Sequence, residues 1–145
     1  MLWFTAQGAN RIGRLDPGTG KIVDYPTPTP GSGPHGITVA PDGQVWYTGQ
    51  GAGVLGRVDP GSGRITEFRL PQATPNPHTP VYHRGRVWYT DANNNAYGSL
   101  DPATGKLAWY FQHLPADDWD LDHTHERTLV RARFNPDPKL VKWIN

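Results

Sequence analysis

Two histidines occupy matching surroundings in this chain: His35 and His78 each follow a proline directly and stand 43 positions apart. A neutral imidazole can accept a proton or ligate a metal, so equivalent histidines drawn to one place would form a general-base or metal site. In a connecting segment the same side chains would only hydrogen-bond backbone, and spacing alone leaves both roles open. No glutamate stands near either histidine in the sequence. A second group lies further on: Asp117, Asp118, Asp120, Asp122, His123, His125 and Glu126. If that segment is extended, the even-numbered carboxylates face one way and His123 and His125 the other, at the i, i+2 spacing a metal can bridge. Asp120, Asp122, His123 and His125 are therefore the candidate metal ligands. Carboxylates suit Ca²⁺ or Mg²⁺ and imidazoles Zn²⁺ or Cu²⁺, so the mixture singles out no metal. A solvated loop held by its own hydrogen bonds, with Trp119 as anchor, is the plainer alternative.

Other chemistries are closed off. There is no cysteine, which removes disulfides, thiolate metal sites and thiol nucleophiles. No HExxH or EF-hand spacing occurs, no serine sits in a nucleophile elbow, and the Gly49 to Gly53 stretch lacks the following Lys-Ser/Thr and helix of a phosphate loop.

The elements that must position these residues follow from an internal repeat. Leu2-Trp3-Phe4-Thr5, Val45-Trp46-Tyr47-Thr48 and Val87-Trp88-Tyr89-Thr90 recur at steps of 43 and 42 residues. The turns Asp16-Pro17, Asp59-Pro60 and Asp101-Pro102 keep the same period, as do His35 and His78. Within one unit, Ile37 to Ala40 alternates as a strand, Pro41-Asp42-Gly43 is a turn, and Val45 to Thr48 returns. Val54 to Val58 and Arg64 to Leu70 complete four short strands separated by turn residues, the pattern of a β-propeller blade. An open β-sandwich also uses short strands, but it gives no reason for the same residues to return at the same places. The predicted fold is all-β: a propeller fragment of about three four-stranded blades, open unless other copies or further sequence complete it. Residues 2–25 supply the last three strands of a blade, and 35–70 and 78–112 a full one each. The repeated aromatics are expected between neighbouring sheets, and Arg14, Arg57 and the turn aspartates on backbone groups at blade edges.

Composition agrees. The 145 residues include 17 glycines and 15 prolines, enough to suggest disorder were it not for six Trp, six Tyr and four Phe gathered in short apolar clusters. Net charge is +1 with both signs interspersed, which gives no field to gather nucleic acid or anionic lipid. Apolar runs of four or five residues are far short of a membrane span, and the start MLWFTAQGANR reads as no signal peptide. The expected partners are a small-molecule substrate and, because open blade faces invite association, other copies of the chain or missing blades.

From Leu2 to about residue 90 the text LWFT…NRIGRLDPGTGKIVDYPTPTPGSGPHGI, followed by PDGQVWYT…GRVDPGSGRITEFRLP, resembles the streptogramin B lyase (virginiamycin B lyase) family. That resemblance implies a seven-bladed propeller that linearises a cyclic depsipeptide antibiotic by elimination, requires Mg²⁺ and uses His and Glu near the central channel, with His35 and His78 as the catalytic candidates here. From Leu100 onward, LDPATGKLAWYFQHLPADDWDLDHTHERTLV resembles pyrroloquinoline quinone (PQQ)-dependent alcohol dehydrogenases, periplasmic eight-bladed propellers that hold PQQ and Ca²⁺. The domain reading is accordingly 1–112 as lyase-like blades and 113–145 as a quinoprotein-like segment. Counted from the turn Lys or Arg, the third position holds Asp24, Glu67 and then Trp109. Trp109 matches the second family's tryptophan-docking pattern, with Ser99 in place of Ala. It is expected to pack flat between adjacent blades, where Asp24 and Glu67 would offer solvated carboxylates. On that alternative, Trp109 and Asp91, the latter followed by Asn93 to Asn95, are the cofactor-binding candidates. The lyase reading implies a cytoplasmic protein and the quinoprotein reading a periplasmic one.

Overall fold

A computed structural model describes residues 1–112. The segment 113–145, with the candidate ligands Asp120, Asp122, His123 and His125, lies outside the described residues.

Three antiparallel sheets follow the repeat. The first contains β1 (Leu2–Ala6), β2 (Arg11–Leu15) and β3 (Ile22–Pro26); the second β4 (Pro34–Val39), β5 (Val45–Gly49), β6 (Val54–Val58) and β7 (Ile65–Arg69). The third contains β8 (Pro77–His83), β9 (Arg86–Asp91), β10 (Ala96–Leu100) and β11 (Leu107–Gln112). Each is a meander in chain order, and the only helical element among the described residues is a 3-10 turn at Gln7–Ala9. No helix among them is long and apolar enough to cross a membrane. Strand β1 corresponds to β5 and β9, so the first sheet lacks the counterpart of β4 and β8. Strand β4 begins earlier than alternation suggested, because Pro34 already pairs with Gly49 across an irregularity in register before Ile37.

The Asp-Pro turns close by side-chain capping. Asp59 Oδ1 accepts the Gly61 and Ser62 amides, both at 2.9 Å, and Asp16 and Asp101 take the amides of Gly18 and of Ala103 and Thr104. These backbone donors stabilise the ionised carboxyl and hold Asp16 and Asp59 below the usual carboxylate range.

The sheets stack face to face around two apolar layers. Trp3, Ile12 and Tyr25 of the first sheet meet Val45, Tyr47, Val58 and Ile65 of the second. Trp46, Leu55 and Phe68 on the other face of the second meet Val87, Tyr89, Leu100 and Leu107 of the third. The aromatics of the repeated motif thus do lie between sheets. Arginines rivet both junctions: Arg14 lies over the rings of Trp3 and Tyr25 and donates to Pro60 O at 3.2 Å, and Arg57 lies over Trp46 and Phe68 and donates to Pro102 O at 3.1 Å. A third repeated device seats one ring on a bare backbone. Phe4, Tyr47 and Tyr89 cover Gly13, Gly56 and Gly98 of the neighbouring strand, and a Cβ at any of the three glycines would collide with the ring.

Register distinguishes the three positions counted from the turn Lys or Arg. Glu67 pairs opposite Gly56, as Asp24 does opposite Gly13, but Trp109 does not stand opposite Gly98. An irregularity between Ser99 and Leu100 leaves Ala108 unpaired and puts Trp109 opposite Ser99, with Tyr110 opposite Gly98. A one-residue slip exchanges the faces of a strand. Trp109 therefore lies on the face of the third sheet that carries Trp88, 42% exposed, tilted against Trp88 at 5.6 Å between centroids and stacked near Phe111 at 6.1 Å. Glu67 is half-buried and takes hydrogen bonds from Tyr47 Oη at 2.7 Å, Ser32 Oγ at 2.8 Å and the Thr29 amide at 3.1 Å.

Candidate site on the inner strands

Strands β4 and β8 are the first strands of their sheets and lie side by side. Each carries its histidine as second residue, after Pro34 or Pro77. The imidazoles meet, with ring centroids 4.2 Å apart and planes inclined by 49°. His35 is half-buried and its buried Nδ1 has no hydrogen-bond partner, whereas His78 is exposed and its Nδ1 lies 3.0 Å from Thr79 Oγ1.

What holds the two rings together is backbone chemistry that the sequence reading did not single out. The Thr48 hydroxyl accepts the Gly36 amide at 2.9 Å and donates to the carbonyl of His78 at 2.8 Å, so one side chain at the end of β5 ties β4 to β8. Thr5 does the same one sheet earlier, donating to His35 O at 2.7 Å, and Thr90 accepts the Thr79 amide at 3.2 Å. The third letter of the repeated Trp-aromatic-Thr motif is therefore a clamp between sheets at Thr5 and Thr48 and within the third sheet at Thr90, and its recurrence was the available signal. Gly36 completes the arrangement: a Cβ there would strike His78 O and Pro80 Cδ, so only glycine lets β4 approach β8 closely enough for the rings to touch.

The other described candidates are not brought to this place. Asp91 is 1% exposed, and its oxygens accept the Asn76 amide at 3.0 Å and Asn94 Nδ2 at 2.8 Å, which knits the link into β8 to the turn after β9. In that role it parallels Asn10, whose side chain holds the preceding link through Thr29 O and the Gly33 amide. Asp91 sits three residues from Trp88 on β9, hence on the face opposite the one Trp88 shares with Trp109. The third sheet thus separates Asp91 from Trp109. Among the described residues, no three or more His, Asp or Glu side chains are grouped to hold a metal. Two imidazoles without a carboxylate do not make the oxygen cage that Mg²⁺ demands, and the described residues do not fit a magnesium site.

Successive antiparallel meanders, stacked through their faces with their first strands gathered at one side, make this a β-propeller protein. The model of the virginiamycin B lyase family matches residues 1–128, and the chain belongs to that family. Among solved structures it is similar to a catalytically inactive virginiamycin B lyase from Staphylococcus aureus crystallised with quinupristin, at 34% identity and a TM-score of 0.71 over 79% of this chain and 38% of that one. A streptogramin B lyase structure is equally similar, at 34% identity and TM-score 0.71, with 79% and 37% covered. The nidogen/laminin complex, at 18% identity and TM-score 0.64 over 77% of this chain and 42% of that chain, shares the fold alone. The chain spans well under half the length of the lyases it resembles. No curated protein sequence matched it.

Proposed function

We propose that this chain forms part of a carbon–oxygen lyase that opens a cyclic peptide ester of the streptogramin B type by elimination. The observation that carries the proposal is the His35–His78 pair on adjacent inner strands, in a family whose solved relative was crystallised with quinupristin. With the Nδ1 proton of His78 donated to Thr79 Oγ1, the lone pair on Nε2 is free to accept a proton from the carbon adjacent to the ester-bearing carbon. As that proton leaves, the carbon–oxygen bond breaks, an alkene forms and the ring ester departs as a carboxylate. His35, packed against the first ring, orients it and supports the charge it gains. Among the described residues no carboxylates gather with these histidines to hold the Mg²⁺ expected from the family resemblance.

The test is ring opening of a cyclic depsipeptide followed by chromatography, with and without Mg²⁺. His78→Ala is expected to lower the rate by roughly 10²–10⁴-fold, the usual worth of a positioned base, and His35→Ala by less. An unchanged rate in both variants would rule out the assignment. Quinone absorbance dependent on Ca²⁺, with no ring opening, would favour the dehydrogenase alternative suggested by residues 98–145.

A further inference from the structure

The contact between His35 and His78 brings together two nitrogen donors as well as two bases. Nδ1 of His78 lies 3.0 Å from Thr79 Oγ1, and a histidine anchored through one ring nitrogen presents the other as a basic lone pair, which is how metal-ligating histidines are held. His35 brings a buried Nδ1 that no hydrogen bond satisfies, a state that costs free energy until some partner takes it up. A tetrahedral ion with bonds of about 2.0–2.1 Å needs two nitrogens roughly 3.3 Å apart. Rings whose centroids are 4.2 Å apart come within that reach by rotation about their Cβ–Cγ bonds. The backbones of both residues are pinned before any ion arrives, because Thr5 Oγ1 donates to His35 O at 2.7 Å and Thr48 Oγ1 to His78 O at 2.8 Å. Donors fixed by their own strands lose little freedom on binding.

We infer that His35 and His78 bind a divalent transition metal of the Zn²⁺ or Cu²⁺ class, as a staple between β4 of the second sheet and β8 of the third. The donor set decides the class. Among the described residues no carboxylate joins the two imidazoles in a group of three, and imidazole nitrogens suit Zn²⁺ and Cu²⁺ where Mg²⁺ demands oxygen. Water completes the coordination of an ion held by two side chains. Because the two ligands come from different sheets, an ion that binds the folded chain favours the docked arrangement by mass action. The inference stands on the ring contact and not on the lyase reading, and its test uses no substrate.

Cu²⁺, the tightest binder among the divalent first-row ions, is the probe. Titrated into the full chain in a non-chelating buffer, it is expected to broaden the ring proton resonances of His35 and His78 at substoichiometric ratios, and its electron paramagnetic resonance should show coupling to two imidazole nitrogens. Excess Zn²⁺ should compete for the site, and the same excess of Mg²⁺ should not. Zn²⁺ should also raise the melting temperature of the wild-type chain. His35→Gln and His78→Gln keep the bulk of the side chain and remove the imidazole, and each should weaken copper binding at least tenfold, since even an outer partner of a ligand is worth that much. The resonance measurement needs no variant, so it decides the matter even where a substituted chain fails to fold. His35 and His78 signals unmoved by one equivalent of Cu²⁺, glutamine variants that bind as tightly as wild type, displacement by Mg²⁺ as effective as by Zn²⁺, or a melting temperature indifferent to Zn²⁺ would each overturn the inference. So would copper that leaves with His123 and His125 and persists when His35 and His78 are both replaced.

Discussion

The Thr48 hydroxyl donates to the carbonyl oxygen of His78 at 2.8 Å while accepting the amide of Gly36, and so joins two strands whose histidines are in ring contact. A single side chain at the end of β5 thereby sets the geometry of the candidate base.

Thr48→Val keeps the shape but leaves the Gly36 amide and the His78 carbonyl without their partner. The expected cost is about 1–3 kcal/mol in urea unfolding, the penalty for stranded polar groups. Thr48→Ser should recover most of it. If ring opening is detected, Thr48→Val should lower its rate although Thr48 touches no reacting atom, and Ser should restore it.

Gly56→Ala forces a methyl group into the ring of Tyr47. A destabilisation of about 1–3 kcal/mol, typical of an overpacked core, is expected. Gly8→Ala, at a position where an added Cβ meets nothing, should stay within about 0.5 kcal/mol of wild type. Equal melting temperatures for the two variants would contradict the packing described.

Arg57→Ala removes a guanidinium that lies over Trp46 and Phe68 and bonds Pro102 O. The expected loss is about 1–3 kcal/mol, with a change in the near-ultraviolet signal of Trp46. Arg57→Lys should recover only part of it, because an ammonium lacks the planar stacking surface.

Burial, and then the hydrogen bond to Glu67, push the Tyr47 hydroxyl far above its ordinary value of 10.0, and burial pushes Tyr89 up to about 12. A group whose pKa is raised in the folded state stabilises fully below its unfolded value and loses that contribution as pH rises. Stability should therefore be flat up to about pH 9 and fall above about pH 10. Tyr47→Phe should make the alkaline fall shallower while lowering stability at neutral pH through loss of the bond to Glu67. A wild-type melting temperature independent of pH through this range would exclude the buried tyrosines as its source.

How much of this was legible beforehand follows from what is local and what is not. The period of the Trp-aromatic-Thr motif, the Asp-Pro turns and the alternation of Val54 to Val58 are properties of short segments, and they sufficed for the strands, the meanders and the stacking of aromatics between sheets. The pairing of His35 with His78 was anticipated only as convergence at one side of the repeat. Contact at 4.2 Å depended on Gly36 and on hydroxyls donated from another strand, which no spacing within β4 or β8 records. Trp109 shows the same division from the other side. Counting from Lys106 put it level with Asp24 and Glu67, but the bulge at Ala108 is a choice made by packing across β10, and one skipped residue turned the indole to the other face of its strand. Sequence alone determined the modules, because turns and alternation act within a few residues; tertiary structure decided which side chains face each other, because register and close approach are settled only when strands distant in the chain compete for the same space.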